Sequence, residues 1–270
     1  GFTVLDERAA HDLLLRIIDE LIKESDDSSD TALREAFARI ATYMDIDRLR
    51  TTLLAIMGKS REFREFLALT GGSSENARAY ILSALGYQNL QSEEEIYQNF
   101  VDALVDEDLL YIARVLVTGA NTYKNMGDKI ATWLALPRDK RGAQIPLLLE
   151  AFLTKDKQVR SIGAKLEKSN PEVLTMMDSV YESYCTMQDK IAALAQTAQT
   201  MDLLSLVGIC LSRYVAGKKK HNALDFNDLI LKTRELLENQ SLQWVQYKLD
   251  EGKDHIMVDE AQDTKIHKWM

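Results

Sequence analysis

Proline, glycine and cysteine are all scarce in this sequence. With three prolines and 12 glycines in 270 residues, long stretches carry no helix-breaking residue, which favours a helical protein. The two cysteines, Cys185 and Cys210, lack metal-ligand spacing with each other and with the four histidines. We therefore expect both thiols to be reduced and buried, and the protein to be cytoplasmic.

Hydrophobic runs long enough to cross a membrane are also absent. No apolar stretch approaches the ~20 residues that a spanning helix needs, and the N-terminus lacks the basic-then-apolar pattern of a secretory signal. The net charge of −9 argues against a surface that binds nucleic acid over its whole extent, although it is compatible with a local basic patch. The composition thus predicts a soluble globular protein with no membrane partner.

Apolar residues recur at helical spacing through most of the first 217 residues. Asp6 and Ser92 have the side chains of helix N-caps, and Gly58 stands where a helix C-cap is expected. Asn170, followed by Pro171, predicts a further helix start. Together these signals indicate a bundle of helices.

Two later stretches lead to more specific expectations. Residues 137–146 contain two prolines and a glycine, which predicts a loop, followed by a helix that runs from Leu147 towards Leu166. No proline interrupts the chain from Pro171 to Gly217. This stretch is either one helix of about 45 residues, roughly 70 Å long at ~1.5 Å per residue, or two helices with a break near Thr200.

The pattern changes close to Gly217, where the helical bundle gives way to two further helices and a strand, typical of part of a sheet-based core. We predict a mainly α fold, with a helical domain over residues 1–217 and a second segment over residues 218–270. Asp225 is expected to cap the first helix of the second segment, and Phe226 to lie in its core.

The strongest chemical signal lies at residues 255–264. The apolar run Ile256–Val258 predicts a buried strand, and it ends on Asp259 and Glu260. Carboxylates at the carboxyl end of such a strand stand where open α/β sheets bind their ligands. In the presence of Mg²⁺ and a nucleotide, Asp259 can hold the metal through a water while Glu260 polarises the attacking water, as in a Walker B motif. The alternative is an acidic loop that follows a core strand and has no chemistry.

The residues around these carboxylates resemble those of a known family. The segment DEAQDT, residues 259–264, resembles motif II of the UvrD/Rep-like superfamily 1 helicases, and ALDFNDLI, residues 223–230, is similar to the block that precedes it. The opening FTVLDE, residues 2–7, is similar to the strand-to-helix transition of that family's inserted helical subdomain. The amino-acid sequences of these blocks and of WVQYKLD, residues 244–250, most resemble those of AddA-type helicase–nuclease subunits.

This resemblance implies an ATP-dependent DNA helicase that uses ATP and Mg²⁺, acts in double-strand-break repair and recombination, and has a second helicase–nuclease subunit as partner. It assigns residues 1–217 to the subdomain inserted in the first motor domain and residues 218–270 to the motor core. It also implies that Gln262 and Asp263 couple the nucleotide site to neighbouring motor motifs. A UvrD-like helicase without a nuclease and a non-catalytic helical interaction scaffold are the alternatives.

A phosphate-binding loop of the pattern G-x-x-x-x-G-K-[ST] is missing from the sequence. The segment Gly58–Ser60 comes nearest, but Leu53 stands where the first glycine is needed, and a helical segment rather than a strand precedes it. A backbone cradle for phosphates therefore cannot form there. We expect a piece of a longer helicase that carries half of an ATPase site and is inactive alone.

The most concentrated positive charge is the run Lys218, Lys219 and Lys220. Its simplest role is to lie at a helix C-terminus, where cations interact favourably with the helix dipole. The alternative is that these lysines bind DNA phosphates.

Overall fold

Helices make up most of this computed structural model, which describes residues 2–24, 31–88, 90 and 92–238. In chain order the elements are β1 (Thr3–Val4), α1 (Glu7–Glu24), α2 (Thr31–Ile40), α3 (Ile46–Met57), α4 (Ser60–Leu69), α5 (Ser74–Ala84), α6 (Glu93–Ala103), α7 (Asp106–Val117), α8 (Asn121–Leu134), α9 (Arg138–Arg141), a 3-10 turn (Gly142–Gln144), α10 (Ile145–Phe152), α11 (Ala164–Ser169), α12 (Glu172–Lys220), β2 (Ala223–Leu224) and α13 (Phe226–Glu238). The prediction of a mainly α fold is confirmed.

The helix ends follow the capping signals of the sequence. The Asp6 carboxylate accepts a hydrogen bond of 2.7 Å from the Ala9 N–H at the start of α1. The Ser92 hydroxyl accepts one of 3.2 Å from the Glu95 N–H at the start of α6. Gly58 is the C-cap of α3. Because short polar side chains satisfy amide groups that the first helical turn leaves without a partner, these boundaries could be predicted locally.

The chain divides into two compact units, one of residues 1–27 with 209–270 and one of residues 28–208. These units are divided after residues 27 and 208, whereas the sequence predicts a boundary between residues 217 and 218. In particular, α1 belongs to the same unit as α13. Its periodicity did not reveal this, because an amphipathic helix shows which face is buried and not which element buries it.

The unit of residues 28–208 has an extended apolar core. It is formed by α6, α7, α8, α10 and the first half of α12, with Trp133 fully buried at its centre. The indole Nε1–H of Trp133 donates a hydrogen bond of 3.2 Å to the Arg141 carbonyl oxygen. This satisfies the polar group that a buried tryptophan carries into a core.

The prediction of a loop over residues 137–146 is wrong. This stretch contains α9, the 3-10 turn and the start of α10, where Pro146 stands in the first turn and so interrupts no helical hydrogen bond. The buried Arg141 donates hydrogen bonds of 2.8 and 2.9 Å to the two carboxylate oxygens of Asp106. It also donates to the carbonyl oxygens of Leu134 and Leu136. These long-range contacts stabilise short helices that their own sequence does not predict.

The helix predicted to run from Leu147 towards Leu166 ends at Phe152. Leu153 and Val159 then form an antiparallel bridge, and the Arg160 N–H donates a hydrogen bond of 2.8 Å to the Phe152 carbonyl oxygen. Lys157 has a left-handed backbone, with φ of 58°, which closes the turn between them. Between this bridge and Asn170 the chain forms one further helix, α11.

The long helix α12 is continuous over 49 residues, about 74 Å at ~1.5 Å per residue. The alternative with a break near Thr200 is therefore wrong. Among the described helices, α12 is long and apolar enough to cross a membrane by length and composition, a test that buried core helices of soluble proteins also pass. Asp202 in this helix is buried and accepts a hydrogen bond of 2.6 Å from Arg39 Nη2, so it faces protein.

In the unit of residues 1–27 and 209–270, β1 and β2 form a two-stranded parallel sheet. Thr3 is paired with Ala223 and Val4 with Leu224. Residues 2–7 have the strand-to-helix order that the family resemblance implies, since β1 is followed by α1. The strand β2 was not predicted, because two residues are too few to show alternation.

Candidate functional site

The predicted acidic site lies outside the described residues. Asp259, Glu260, Gln262 and Asp263 all follow residue 238, as does the strand expected before them. Within the described part of the chain, no group of three or more His, Cys, Asp or Glu side chains has the arrangement of a metal site. The predicted residues that the structure does describe are the three lysines and Asp225.

These residues meet where α12 ends and α13 begins. His221 and Asn222 form the turn between α12 and β2, and Asn222 has a left-handed backbone with φ of 47°. Asparagine tolerates this conformation better than most residues. The Asn222 carbonyl oxygen accepts a hydrogen bond of 2.9 Å from the Thr3 N–H, which anchors the turn to β1.

Asp225 and Asp228 form a reciprocal cap at the start of α13. The Asp228 N–H donates a hydrogen bond of 2.8 Å to Asp225 Oδ1, and the Asp225 N–H donates one of 3.2 Å to Asp228 Oδ2. This is the geometry of a capping box, in which the N-cap and N3 side chains each accept from the other's amide. The prediction that Asp225 caps this helix is confirmed.

Lys218 joins the end of α12 to this cap. Its ammonium donates a hydrogen bond of 2.7 Å to Asp225 Oδ2 and a second, short one to Asp228 Oδ2. The Tyr214 hydroxyl donates to the same Asp225 oxygen at 2.9 Å, and Lys218 Nζ lies 4.6 Å from the centre of the Tyr214 ring. We call Tyr214, Lys218, Asp225 and Asp228 the α12–α13 cluster.

The cluster is removed from solvent, and its pKa values reflect this. Burial by itself would raise the pKa of Asp225, but hydrogen bonds from Lys218, the Asp228 amide and Tyr214 hold that pKa below its ordinary value. Burial raises the pKa of the Tyr214 phenol, and the hydrogen bond to Asp225 and the charges of Asp225 and Asp228 raise it further. At neutral pH Asp225 is therefore a carboxylate and Tyr214 a neutral phenol.

Every charged group of the cluster has partners within it, so it offers no free nucleophile, acid or base. It fixes the direction in which α13 leaves β2. Of the three lysines, Lys218 is 4% exposed and engaged in these contacts, while Lys219 and Lys220 are exposed at the end of α12. Their location at a helix C-terminus agrees with the simpler of the two sequence interpretations.

Two other sequence expectations meet different outcomes here. Phe226 was predicted to lie in the core but is 56% exposed, because the first residue after the Asp225 cap lies on the outer side of α13. Cys210 is buried, and burial raises the pKa of its thiol to about 11, whereas Cys185 is only half-buried. Both thiols are free.

Sequence reasoning missed the α12–α13 cluster as a unit. Two local signals were available, since Tyr214 and Lys218 lie four residues apart on one helix face and Asp225 and Asp228 have capping-box spacing. What no local pattern states is that the two pairs meet.

Comparison with known proteins finds a family model that matches most of the chain. A family model described as the UvrD/REP helicase N-terminal domain matches residues 5–270, which include the α12–α13 cluster and the acidic motif. No curated protein and no solved structure matches this chain.

Proposed function

We propose, from the premise that this chain belongs to the UvrD/REP helicase N-terminal domain family, that it supplies the Walker B half of a helicase ATPase site. Members of the family are ATP-dependent DNA helicases that use ATP with Mg²⁺. The family match over residues 5–270 carries the proposal, since it covers the acidic motif and the helices before it.

The proposed roles follow from the chemistry of the motif. Asp259 is the Mg²⁺ ligand, through a water, because hard divalent cations prefer carboxylate and water oxygens. Glu260 orients and deprotonates the water that attacks the γ-phosphate. Gln262 and Asp263 relay the state of the nucleotide to neighbouring motor motifs. When bound, Mg²⁺ neutralises charge on the phosphates.

Glu260→Gln in the intact protein tests this assignment. Because the amide cannot accept the proton of the attacking water, we expect DNA-stimulated ATP hydrolysis to fall by about 100-fold or more. Nucleotide binding, measured with a fluorescent ATP analogue, should change little. Glu107→Gln, an exposed position on α7, is the matched control.

An unchanged rate of ATP hydrolysis in Glu260→Gln would favour the alternative of a non-catalytic helical interaction scaffold.

A second readout uses the 270-residue chain by itself. Its sequence contains no phosphate-binding loop, so we expect it to have no measurable ATPase rate. A clear ATPase rate from the purified chain would contradict the proposal that it carries only half of the ATPase site.

The two compact units support a proposal about domain organisation. We assign residues 28–208 to the helical subdomain inserted in the first motor domain, and residues 1–27 with 209–270 to the motor core. The parallel pairing of β1 with β2 on either side of this insertion supports the assignment, because parallel sheets are typical of α/β cores. This proposed assignment differs from the sequence prediction, which places the domain boundary between residues 217 and 218.

A more specific proposal is that the parent protein is an AddA-type helicase–nuclease that acts in double-strand-break repair and recombination with a second subunit. The wording of residues 223–230 and 244–250 supports it. The intact protein is then expected to degrade linear duplex DNA in the presence of Mg²⁺ and ATP. Unwinding without degradation would favour a UvrD-like helicase that has no nuclease.

DNA contacts within this chain are proposed for Lys219 and Lys220, which are exposed. Lys218 is omitted, because a phosphate contact would have to replace its bonds to Asp225 and Asp228. We also propose a cytoplasmic location, which is typical of UvrD-type helicases.

A further inference from the structure

A groove of about 620 Å³ opens on the unit of residues 28–208, and we call it the α3 groove. Its apolar lining comes from four helices: Ile56 of α3, Phe63 and Phe66 of α4, Ile81 of α5 and Leu204 of α12. Of these five, only Phe63 is fully buried, so the groove is an open apolar surface rather than a closed core.

The α3 wall of the groove is built for close approach. Thr51 and Ala55 lie four residues apart on the groove face of α3 and carry small side chains. Ala55 is exposed and lies in the last turn of α3. Small residues on successive turns leave room for the backbone of another helix.

Unpaired positive charge stands at both ends of this wall. Arg48 lines the groove from the first turn of α3, and Lys59 lines it from the turn between α3 and α4. Neither side chain has an ion-pair partner within the described part of the chain, whereas neighbouring Arg50 and Arg61 are paired with Asp47 and Glu65. Glu62 is the one acidic side chain of the groove lining. The net charge of the lining is therefore positive, although the whole chain carries −9.

The apolar surface continues beyond the groove. The rings of Phe66 and Tyr80 are in edge contact, with 5.7 Å between centroids, and Tyr80 is 51% exposed. Leu69, one turn after Phe66 on α4, is 73% exposed. Contiguous apolar surface of this kind is typical of interaction sites.

We propose that the α3 groove binds an amphipathic helix of a protein partner, with acidic residues flanking its apolar face. Apolar side chains at i, i+3, i+4 and i+7 would enter between α3, α4 and α12, as in other helix-in-groove complexes. The flanking carboxylates would meet Arg48 and Lys59. Nucleic acid fits this groove less well, because protein–DNA interfaces are more polar and more strongly positive.

The test uses the 270-residue chain and a fluorescein-labelled peptide of about four helical turns. The peptide carries Leu at i, i+3, i+4 and i+7 and Glu at both ends, and a matched peptide carries Lys at the ends. Fluorescence anisotropy should show that the Glu peptide binds at least about tenfold more tightly. Arg48→Glu combined with Lys59→Glu should reverse this preference without unfolding the chain, since both side chains are exposed.

Filling the groove gives an independent arm. Ala55→Trp should weaken the Glu peptide by about tenfold or more, while Ala131→Trp, on an exposed face of α8, should not change its affinity. Circular dichroism establishes that both variants are folded. Peptide-induced protection from hydrogen exchange should appear over residues 46–69.

Three results would overturn the proposal. The first is equal affinity for the two peptides, or no binding of either. The second is binding of a single-stranded oligothymidine that Ala55→Trp removes, which would assign the groove to nucleic acid. The third is self-association of the chain that Ala55→Trp abolishes, which would make the occupant a second copy.

Discussion

Lys218 is a buried charge on which the stability of the α12–α13 cluster depends. Its ammonium is held by Asp225 and Asp228 and covered by the Tyr214 ring, with 5% of the side chain exposed. Removing one partner of a buried pair leaves the other charge desolvated and uncompensated, which costs far more than a surface ion pair contributes. The position is therefore much more sensitive than the two lysines that follow it.

We predict that Lys218→Met lowers the free energy of unfolding by about 3–5 kcal/mol. Lys220→Met, at an exposed position of the same run, should change it by no more than about 0.5 kcal/mol. Urea denaturation followed by far-ultraviolet circular dichroism measures both. Equal effects of the two substitutions would contradict the role assigned to Lys218.

The depressed pKa of Asp225 leads to a pH prediction. Hydrogen bonds from Lys218, the Asp228 amide and Tyr214 outweigh burial and hold the pKa below its ordinary value of 3.8. A group whose pKa is lower in the folded state stabilises the protein above its unfolded pKa, and this stabilisation is lost as the pH falls through the folded value. The free energy of unfolding should therefore decrease as the pH falls below about 4.

In Asp225→Asn this part of the acid sensitivity should be missing, because the amide does not titrate. Asp178→Asn, at an exposed position of α12, is the matched control and should keep the wild-type slope. Urea midpoints measured between neutral and acidic pH compare the two variants. An Asp225→Asn protein with the full wild-type acid sensitivity would contradict the assignment.

At the scale of single elements, α12 is the main test of what maintains a helix. It contains buried Thr197, whose hydroxyl donates a hydrogen bond of 2.7 Å to the Ala193 carbonyl oxygen, and Asp202, bound by Arg39. These polar residues sit within the helix because each has a partner. Helical hydrogen bonds thus continue through the stretch near Thr200 where a break was one of the two expectations.

Ala198→Pro tests the continuity of α12. Proline removes one amide donor and clashes with the preceding turn, so we expect a loss of about 3 kcal/mol or more. Ala198→Glu, at the same exposed position, should cost less than about 0.5 kcal/mol. Urea denaturation of the two variants gives the comparison. A proline that is tolerated would indicate that the helix is interrupted in solution.

At the scale of the whole molecule, the unit of residues 28–208 has a core of its own. Its main buried cluster extends from Leu82 to Met187 and includes Trp133 and the other largest buried side chains of α7, α8 and α10. A single contiguous cluster of this size is what an independently folding domain requires.

We therefore predict that a protein of residues 28–208 alone folds cooperatively. Its far-ultraviolet spectrum should be helical, and its fluorescence should report Trp133, the one tryptophan of that range. Urea denaturation followed by both signals should give coincident transitions. A gradual, non-cooperative loss of signal would show that this unit depends on the rest of the chain.

The sequence by itself determined the helical class, the capped starts of α1, α6 and α13, and the family. These depend on short-range features: caps act within one turn, helical periodicity within a few turns, and the family motifs are contiguous. The roles proposed for Asp259 and Glu260 rest on the sequence and the family alone, since both residues lie outside the described part of the chain.

Only the tertiary structure decided that α1 belongs with α13, that residues 137–146 are helical, that Phe226 is exposed and that Lys218 is buried beside Asp225. Each depends on contacts between residues far apart in the chain or on which side of an element faces the core. Arg141 stabilises its short helix through Asp106, 35 residues away in sequence. No local pattern encodes such a partner, because propensity describes a segment and packing describes its surroundings.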